Sequence, residues 1–242
     1  MEARKAYHKL CTEFYDISKP VACFKEVAFY ADLLQGVQGP VLEAMCGSGR
    51  LLLPLLRLGF EIDGLDNSAE MLASCEKRSL SENLKVSLFN QPIESISLKK
   101  YALIFIAVGS FQLITDRAEA LKVLRILHSH LLPGGSLVLD AFIPWDSVKA
   151  SIEGDSLSKE KKIVSSSRVV ACPDGAKIFL QSMTTIDPWE QIEISKNQYE
   201  KRLDGKVIAQ EEEDLTVRWY YPHEIELFLE KLVNITYLSP KN

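Results

Sequence analysis

The stretch Val41-Leu42-Glu43-Ala44-Met45-Cys46-Gly47-Ser48-Gly49-Arg50 holds the sharpest chemical signal in the chain. An apolar run passes through an acid into two closely spaced glycines, and helical spacing begins just beyond them. Glycine lets a backbone turn sharply and approach a ligand closely, while free amides at the start of the following helix favour a carboxylate or phosphate. About twenty residues later a second apolar run ends in Gly64-Leu65-Asp66-Asn67-Ser68, where an acid accepts both hydroxyls of a ribose. The two segments together describe a nucleoside site at the carboxyl edge of a sheet. Two residues narrow the cofactor type. A dinucleotide fingerprint needs a third glycine or alanine where this chain has Leu52, and Glu43 would repel a pyrophosphate while suiting ammonium and sulfonium charges.

Such a site needs a parallel sheet beneath it. From Val41 to Phe142 short apolar runs alternate with helical periodicity. Strands are expected at Val41–Cys46, Glu61–Leu65, Lys85–Phe89, Ala102–Val108 and Ser136–Phe142. Helices are expected at Gly49–Leu58, Ser68–Arg78 and Arg117–Leu132, with Pro133-Gly134-Gly135 as a stop signal. Ahead of them Tyr7–Tyr15 and Val21–Gln35 read as helices broken around Lys19-Pro20, forming a lid over residues 1–39 whose aromatic residues serve packing. After Trp145 four β-rich runs, Lys162–Cys172, Ala176–Asp187, Gln191–Leu203 and Lys206–Tyr220, are divided by turn residues. In the last of them Leu215, Val217 and Trp219 fall on one face, and Thr216, Arg218 and Tyr220 on the other. A helix at Pro222–Leu232 and a strand at Val233–Leu238 follow. The expected class is α/β: a Rossmann-like, doubly wound, mostly parallel sheet over 40–150 and 221–242, with an antiparallel four-stranded insertion over 151–220 as substrate cover or dimer contact.

The whole chain narrows the function further. It has 242 residues, 47% hydrophobic and 25% charged, in the range of an ordinary globular protein. A formal charge of -5 argues against a nucleic-acid partner. No apolar run approaches a membrane span and Met1–Leu10 lacks a signal peptide's apolar core, so the expected location is cytoplasmic. Cys11, Cys23, Cys46, Cys75 and Cys172 are scattered, suggesting neither a disulfide framework nor a metal site. The Glu211-Glu212-Glu213-Asp214 run reads as a solvated strand edge, and Lys159–Lys162 as an exposed turn.

Glu43 to Gly49 resembles motif I of class I methyltransferases, Gly64 to Met71 resembles their next segment, and Leu131 to Asp140 is similar to their Leu-x-Pro-Gly-Gly strand. The likeness spans Val41 to Phe142. A fainter one, to sugar N-methyltransferases, lies in Tyr15-Asp16 and the antiparallel insertion. The resemblance implies S-adenosylmethionine as cofactor, S-adenosylhomocysteine as product, and methyl transfer to an N or O nucleophile of a small-molecule acceptor. It places the methionine end on Glu43 and the backbone of Ala44, Met45, Cys46, Gly47, Ser48 and Gly49, with Arg50, Val108 and Gly109 in the same pocket. Asp66 takes the ribose; Asn67, Met71, Asn90, Gln91 and Pro92 surround the adenine. Two departures stand out: an amide at Asn90 where the family often has an acid, and Tyr101-Ala102 where it has Phe-Asp.

Methyl transfer from a sulfonium is an in-line displacement, so alignment and desolvation supply most of the rate. No metal is implied. The acceptor is expected against Gly109–Gln112, Asp140–Trp145, the lid around Tyr15 and the insertion, with Tyr15, Asp140 and His223 as candidates to orient the nucleophile or take its proton, beside Tyr221. His128 and His130 read as helix-end dipole partners. Three rival readings are an inactive binding module, a nicotinamide oxidoreductase, which Leu52 and Glu43 oppose, and a nucleic-acid methyltransferase. The last is opposed by Val108-Gly109-Ser110-Phe111, which replaces an Asn/Asp-Pro-Pro-aromatic motif. The sequence stops at Asn242, just after the sixth expected strand, so either a seventh is truncated or a partner covers the edge; monomer and homodimer are both compatible.

Overall fold

The computed structural model describes residues 7–152 and 162–231. Five strands, β1 (Val41–Ala44), β2 (Ile62–Asp66), β3 (Ser87–Asn90), β4 (Tyr101–Ile106) and β5 (Leu131–Leu139), form a parallel sheet in the order β3-β2-β1-β4-β5. Both faces are covered, which is why its central strands read as near-continuous apolar runs. Val41, Leu103 and Phe105 pack in one core with residues of α2 (Phe24–Leu34), α3 (Leu52–Arg57) and α4 (Ala69–Ser81). Leu42, Ala44, Ile104 and Ile106 point the other way, against Val123, Leu124 and Leu127 of α5 (Arg117–Ser129).

Local chemistry explains where the helices begin. Ser68 Oγ accepts the Met71 amide at 3.1 Å at the start of α4, and Asp116 accepts the amides of Ala118 and Glu119 at 2.9 Å at the start of α5. Helix α3 starts later than the sequence suggests. Met45, Gly47 and Gly49 have φ of 60°, 54° and 79°, so left-handed turns occupy the segment first.

The Pro133-Gly134-Gly135 segment departs from expectation more sharply. Helix α5 ends at Ser129 and β5 begins at Leu131, so the segment lies inside a strand and is not a stop signal. Pairing with β4 jumps from Tyr101↔Leu131 to Leu103↔Ser136, because proline has no amide to give the ladder and the chain bulges around it. Gly135 is fixed by close approach: a Cβ there would lie 2.9 to 3.0 Å from the carbonyl oxygens of Leu132, Ala102 and Tyr101.

Beyond α6 (Trp145–Ile152), strands β6 (Lys162–Ala171), β7 (Lys177–Asp187), β8 (Ile192–Leu203) and β9 (Lys206–Arg218) form a separate antiparallel sheet in sequential order. Helix α1 (Lys9–Ser18) packs on this sheet, not on the parallel one: Leu10, Cys11 and Phe14 meet Ile178, Leu180 and Tyr199. Trp219 and Tyr220, just past β9, diverge as their alternation requires. Trp219 joins Val148 and Ile186, whereas Tyr220 joins the α5 core. Helix α7 (Pro222–Glu230) rests its Ile225, Phe228 and Leu229 on that same core. The strand expected at Val233–Leu238 lies outside the described residues, as does most of the expected turn at Lys159–Lys162.

The acidic run corrects another expectation. β9 is an edge strand on which Glu212 and Asp214 are exposed as expected, but Glu213 is buried and Glu211 half-buried. With a period of two they share the face turned toward α1. There the Glu211 carboxylate accepts the amides of Leu10 and Cys11 at 2.8 and 2.9 Å, and buried Glu213 accepts that of Tyr7 at 2.7 Å.

Candidate cofactor site

The parallel sheet reverses its winding between β1 and β4, and ligands of open α/β sheets sit beyond the strand ends at such a point. Both strands end there in left-handed residues: Met45 and Gly47 after β1, Val108 and Gly109 (φ 59° and 69°) after β4. Between them lies a narrow cleft of about 80 Å³.

Glu43, Met45, Cys46, Gly47, Arg50, Asp66, Asn67, Met71 and Val108 line this cleft, and Tyr15 closes it from the lid. The other expected cofactor residues lie behind or beside it. Ala44 is in the core, and the Ser48 carbonyl accepts from Arg78 at 2.9 Å. Gly49 gives packing room, since a Cβ there would lie 2.6 Å from Cys75 Sγ. Gly109 sits under the Phe142 ring, which such a carbon would meet at 2.5 Å. Asn90 donates to the Asp66 carbonyl at 3.1 Å, Gln91 accepts the Ser97 amide at 2.8 Å, and Pro92 is exposed.

Among the acceptor candidates, Asp140 accepts the Val108 amide at 3.1 Å at the end of β5. His223 does not join the site: it is exposed on the first turn of α7, 2.8 Å from Glu226. Gln112, expected in the acceptor wall, is fully buried and its amide is engaged by Phe142 on both sides. Tyr7, Leu51, Ala107 and Leu113 also line the cleft, without having been singled out for it. Tyr7 carried only the general signal of an aromatic residue just ahead of the lid helix.

Charge is arranged unevenly in the cleft. Glu43 is 4% exposed and its Oε2 has no partner; burial first, then Asp66 and Asp140, push its carboxyl up to about 8 against the pull of Arg50. Arg50 gives Nη2 to Glu26 at 2.8 Å, leaving buried Nε and Nη1 unpartnered. Orphaned buried polar atoms of opposite sign are rare in a finished core, and they suit a zwitterionic ligand: ammonium to Glu43, carboxylate to Arg50. Gly47 leaves room for it, because an added Cβ would meet only Met71 Sδ, at 3.9 Å.

Asp66 is already in use. Its Oδ2 accepts the Gly47 amide and its Oδ1 the Ser68 amide, each at 2.8 Å, so the acid ties the glycine turn to β2 from the wall of the cleft. Burial raises its carboxyl above the ordinary range, opposed by the amides of Ser68, Gly47 and Asn67. Burial, followed by Glu213, raises the Tyr7 phenol, which stays neutral. Among the described residues no group of three His, Cys, Asp or Glu side chains is placed to hold a metal ion, and no helix is long and apolar enough to cross a membrane.

Several known proteins resemble this chain. Residues 41–135 match the family described as "Methyltransferase domain". A ubiquinone biosynthesis O-methyltransferase of Xanthomonas campestris pv. campestris (strain B100) is 28% identical over 99 residues, 41% of this chain and 41% of that protein, so the chain spans about two-fifths of the curated relatives it matches. Among solved structures, an S-adenosylmethionine-dependent methyltransferase from Clostridium acetobutylicum ATCC 824 superposes with a TM-score of 0.66 at 20% identity, covering 90% of this chain and 83% of that one. The sugar N-methyltransferase KedS8 from Streptoalloteichus sp ATCC 53650 gives 0.68 at 16% identity, covering 96% and 88%. Residues 41–135 thus match a methyltransferase domain, within a chain that shares the fold of these solved methyltransferases.

Proposed function

We propose that this chain transfers a methyl group from S-adenosylmethionine to an N or O nucleophile of a small-molecule acceptor. The observation that carries the reading is the orphaned pair in one cleft, Glu43 and Arg50, below a glycine turn that is fastened to Asp66. The bound cofactor supplies a methyl group activated by its sulfonium. Glu43 takes its ammonium, Arg50 its carboxylate, Asp66 its ribose hydroxyls, and Asn67 and Met71 flank its adenine. Tyr7 and Tyr15 exclude water from above. The acceptor enters at the ends of β4 and β5, where Val108 and Phe142 are 40% and 46% exposed and Asp140 is at hand to orient an amine or hydroxyl. Relatives named for ubiquinone biosynthesis and for sugar N-methylation support a small acceptor over a polymer.

Incubation of the isolated chain with labelled S-adenosylmethionine and a panel of small amines and phenols tests the proposal. Transfer is expected with at least one acceptor class; tight cofactor binding with no transfer to any of them would leave a binding module instead. The Asp66→Ala substitution is expected to weaken S-adenosylhomocysteine binding by about 1–3 kcal/mol, since it removes the ribose acceptor and the anchor of the Gly47 amide together. Unchanged affinity in calorimetry would remove Asp66 from the site.

A further inference from the structure

Tyr7 is the lid residue with the least ordinary backbone. Its φ is 64°, a left-handed conformation in which a bulky aromatic side chain is a genuine outlier. Such an outlier persists only where its surroundings hold it, and they are often at sites of function. Both ends of this residue are held. Its amide donates to Glu213 of β9 at 2.7 Å, and its carbonyl accepts from Ser68 Oγ, at the start of α4, at 2.9 Å. Between these grips the ring lies in the cleft wall, edge-on to Tyr15 at 6.3 Å.

The grip on the amide is made with care. Glu213 is 6% exposed, and the same carboxylate accepts from Tyr199 Oη and Asn197 Nδ2, both at 3.3 Å. Those donors hold it still, so it is a fixed post and not a swinging surface acid. Ser68 in turn belongs to the segment that carries Asp66, whose carboxylate accepts the Ser68 amide. Tyr7 therefore bridges the insertion and the turn that grips the ribose.

We propose that Tyr7 covers the bound cofactor and that Glu213 is its positioning residue, so that the antiparallel sheet controls how long the cofactor stays. This rests on the reading of the cleft as an S-adenosylmethionine site. Glu213 touches no reacting atom and acts through the Tyr7 backbone. The carboxylate favours the left-handed conformation by accepting its amide; an amide side chain at 213 accepts more weakly and turns a donor toward Asn197 and Tyr199. Loosening the post should speed cofactor escape and leave the chemical step alone.

The test measures S-adenosylhomocysteine affinity and dissociation, and steady-state kinetics, for the full chain and for Glu213→Gln, Tyr7→Ala and the Glu213→Gln/Tyr7→Ala double variant. Glu213→Gln is expected to weaken binding about tenfold through faster dissociation, raising KM for the cofactor with kcat within about twofold. The double variant should be little worse than Tyr7→Ala alone, because both changes break one device. A folded Glu213→Gln chain with unchanged dissociation, or losses that simply add, would overturn the proposal. If Glu213→Gln folds poorly, Tyr7→Ala decides by itself: tight binding and slow dissociation without the ring would equally overturn it. A parent chain that fails to bind the ligand would instead remove the cofactor reading on which the proposal rests. In the ligand-free protein, the Tyr7 amide should exchange faster in Glu213→Gln than in the parent, a readout independent of any cofactor.

Discussion

Glu43 holds its proton to an unusual pH because the fold has buried it beside two other acids with only part of Arg50 to offset them. The sign of the consequence follows from its shift. The carboxyl rises from 4.5 in an ordinary setting to about 8, so over that window the folded, ligand-free protein keeps a proton that the unfolded chain releases, and its stability falls as pH rises. A ligand ammonium favours the anion, so affinity is expected to rise with pH across the same window and level off above it. Calorimetry with S-adenosylhomocysteine between about pH 6 and about pH 8.5 checks this against Glu43→Gln, which cancels the titration of the ligand's own amine. Equal slopes in both proteins would show that Glu43 does not meet the ammonium. Single residues were legible where backbone demanded them: Glu43, Gly47 and Asp66 all reach the cleft. Leu52 was read as breaking a dinucleotide fingerprint. It packs fully buried against Gly64 on β2, where a Cβ would lie 2.8 Å from the Leu52 side chain, so the missing glycine has moved to the neighbouring strand.

Among the elements, the antiparallel strands were legible nearly to their ends, because Asp174-Gly175 and Asp204-Gly205 turn them and β-branched residues fill them. The end of α5 was not. Pro-Gly-Gly breaks a helix and bulges a strand equally well, and only pairing with Tyr101 and Leu103 decides between them. The α1 cap was equally hidden, since its own N-cap residue, His8, makes no side-chain cap and the acid comes from Glu211. Glu211→Ala should destabilise the protein by about 1 kcal/mol, the value of a lost cap, seen as a lower urea midpoint at constant slope. An unchanged midpoint would mean that water serves those amides as well.

At the scale of the whole molecule, Gln112 joins what the chain keeps apart. It is fully buried, donates to the carbonyls of Phe142 and Arg218 at 2.9 and 3.1 Å, and accepts the Phe142 amide at 2.8 Å. One side chain thus fastens the loop after β4 to that after β5 and to the end of the insertion. Gln112→Leu removes three hydrogen bonds to backbone groups, of which that to the Arg218 carbonyl is buried, and should cost about 2–3 kcal/mol in equilibrium unfolding; a loss below about 1 kcal/mol would show that the junction relaxes. Nothing local in the sequence distinguishes this glutamine from one on the surface, because its partners arrive from distant segments.

The hold of Glu213 on Tyr7 spans 206 positions. During synthesis the chain leaves the ribosome from its amino end, so the parallel sheet can pair while residue 7 still lacks its post. Residue 7 is thus made long before the strand that fixes it, and a nascent chain halted before β9 would leave this wall of the cleft unheld.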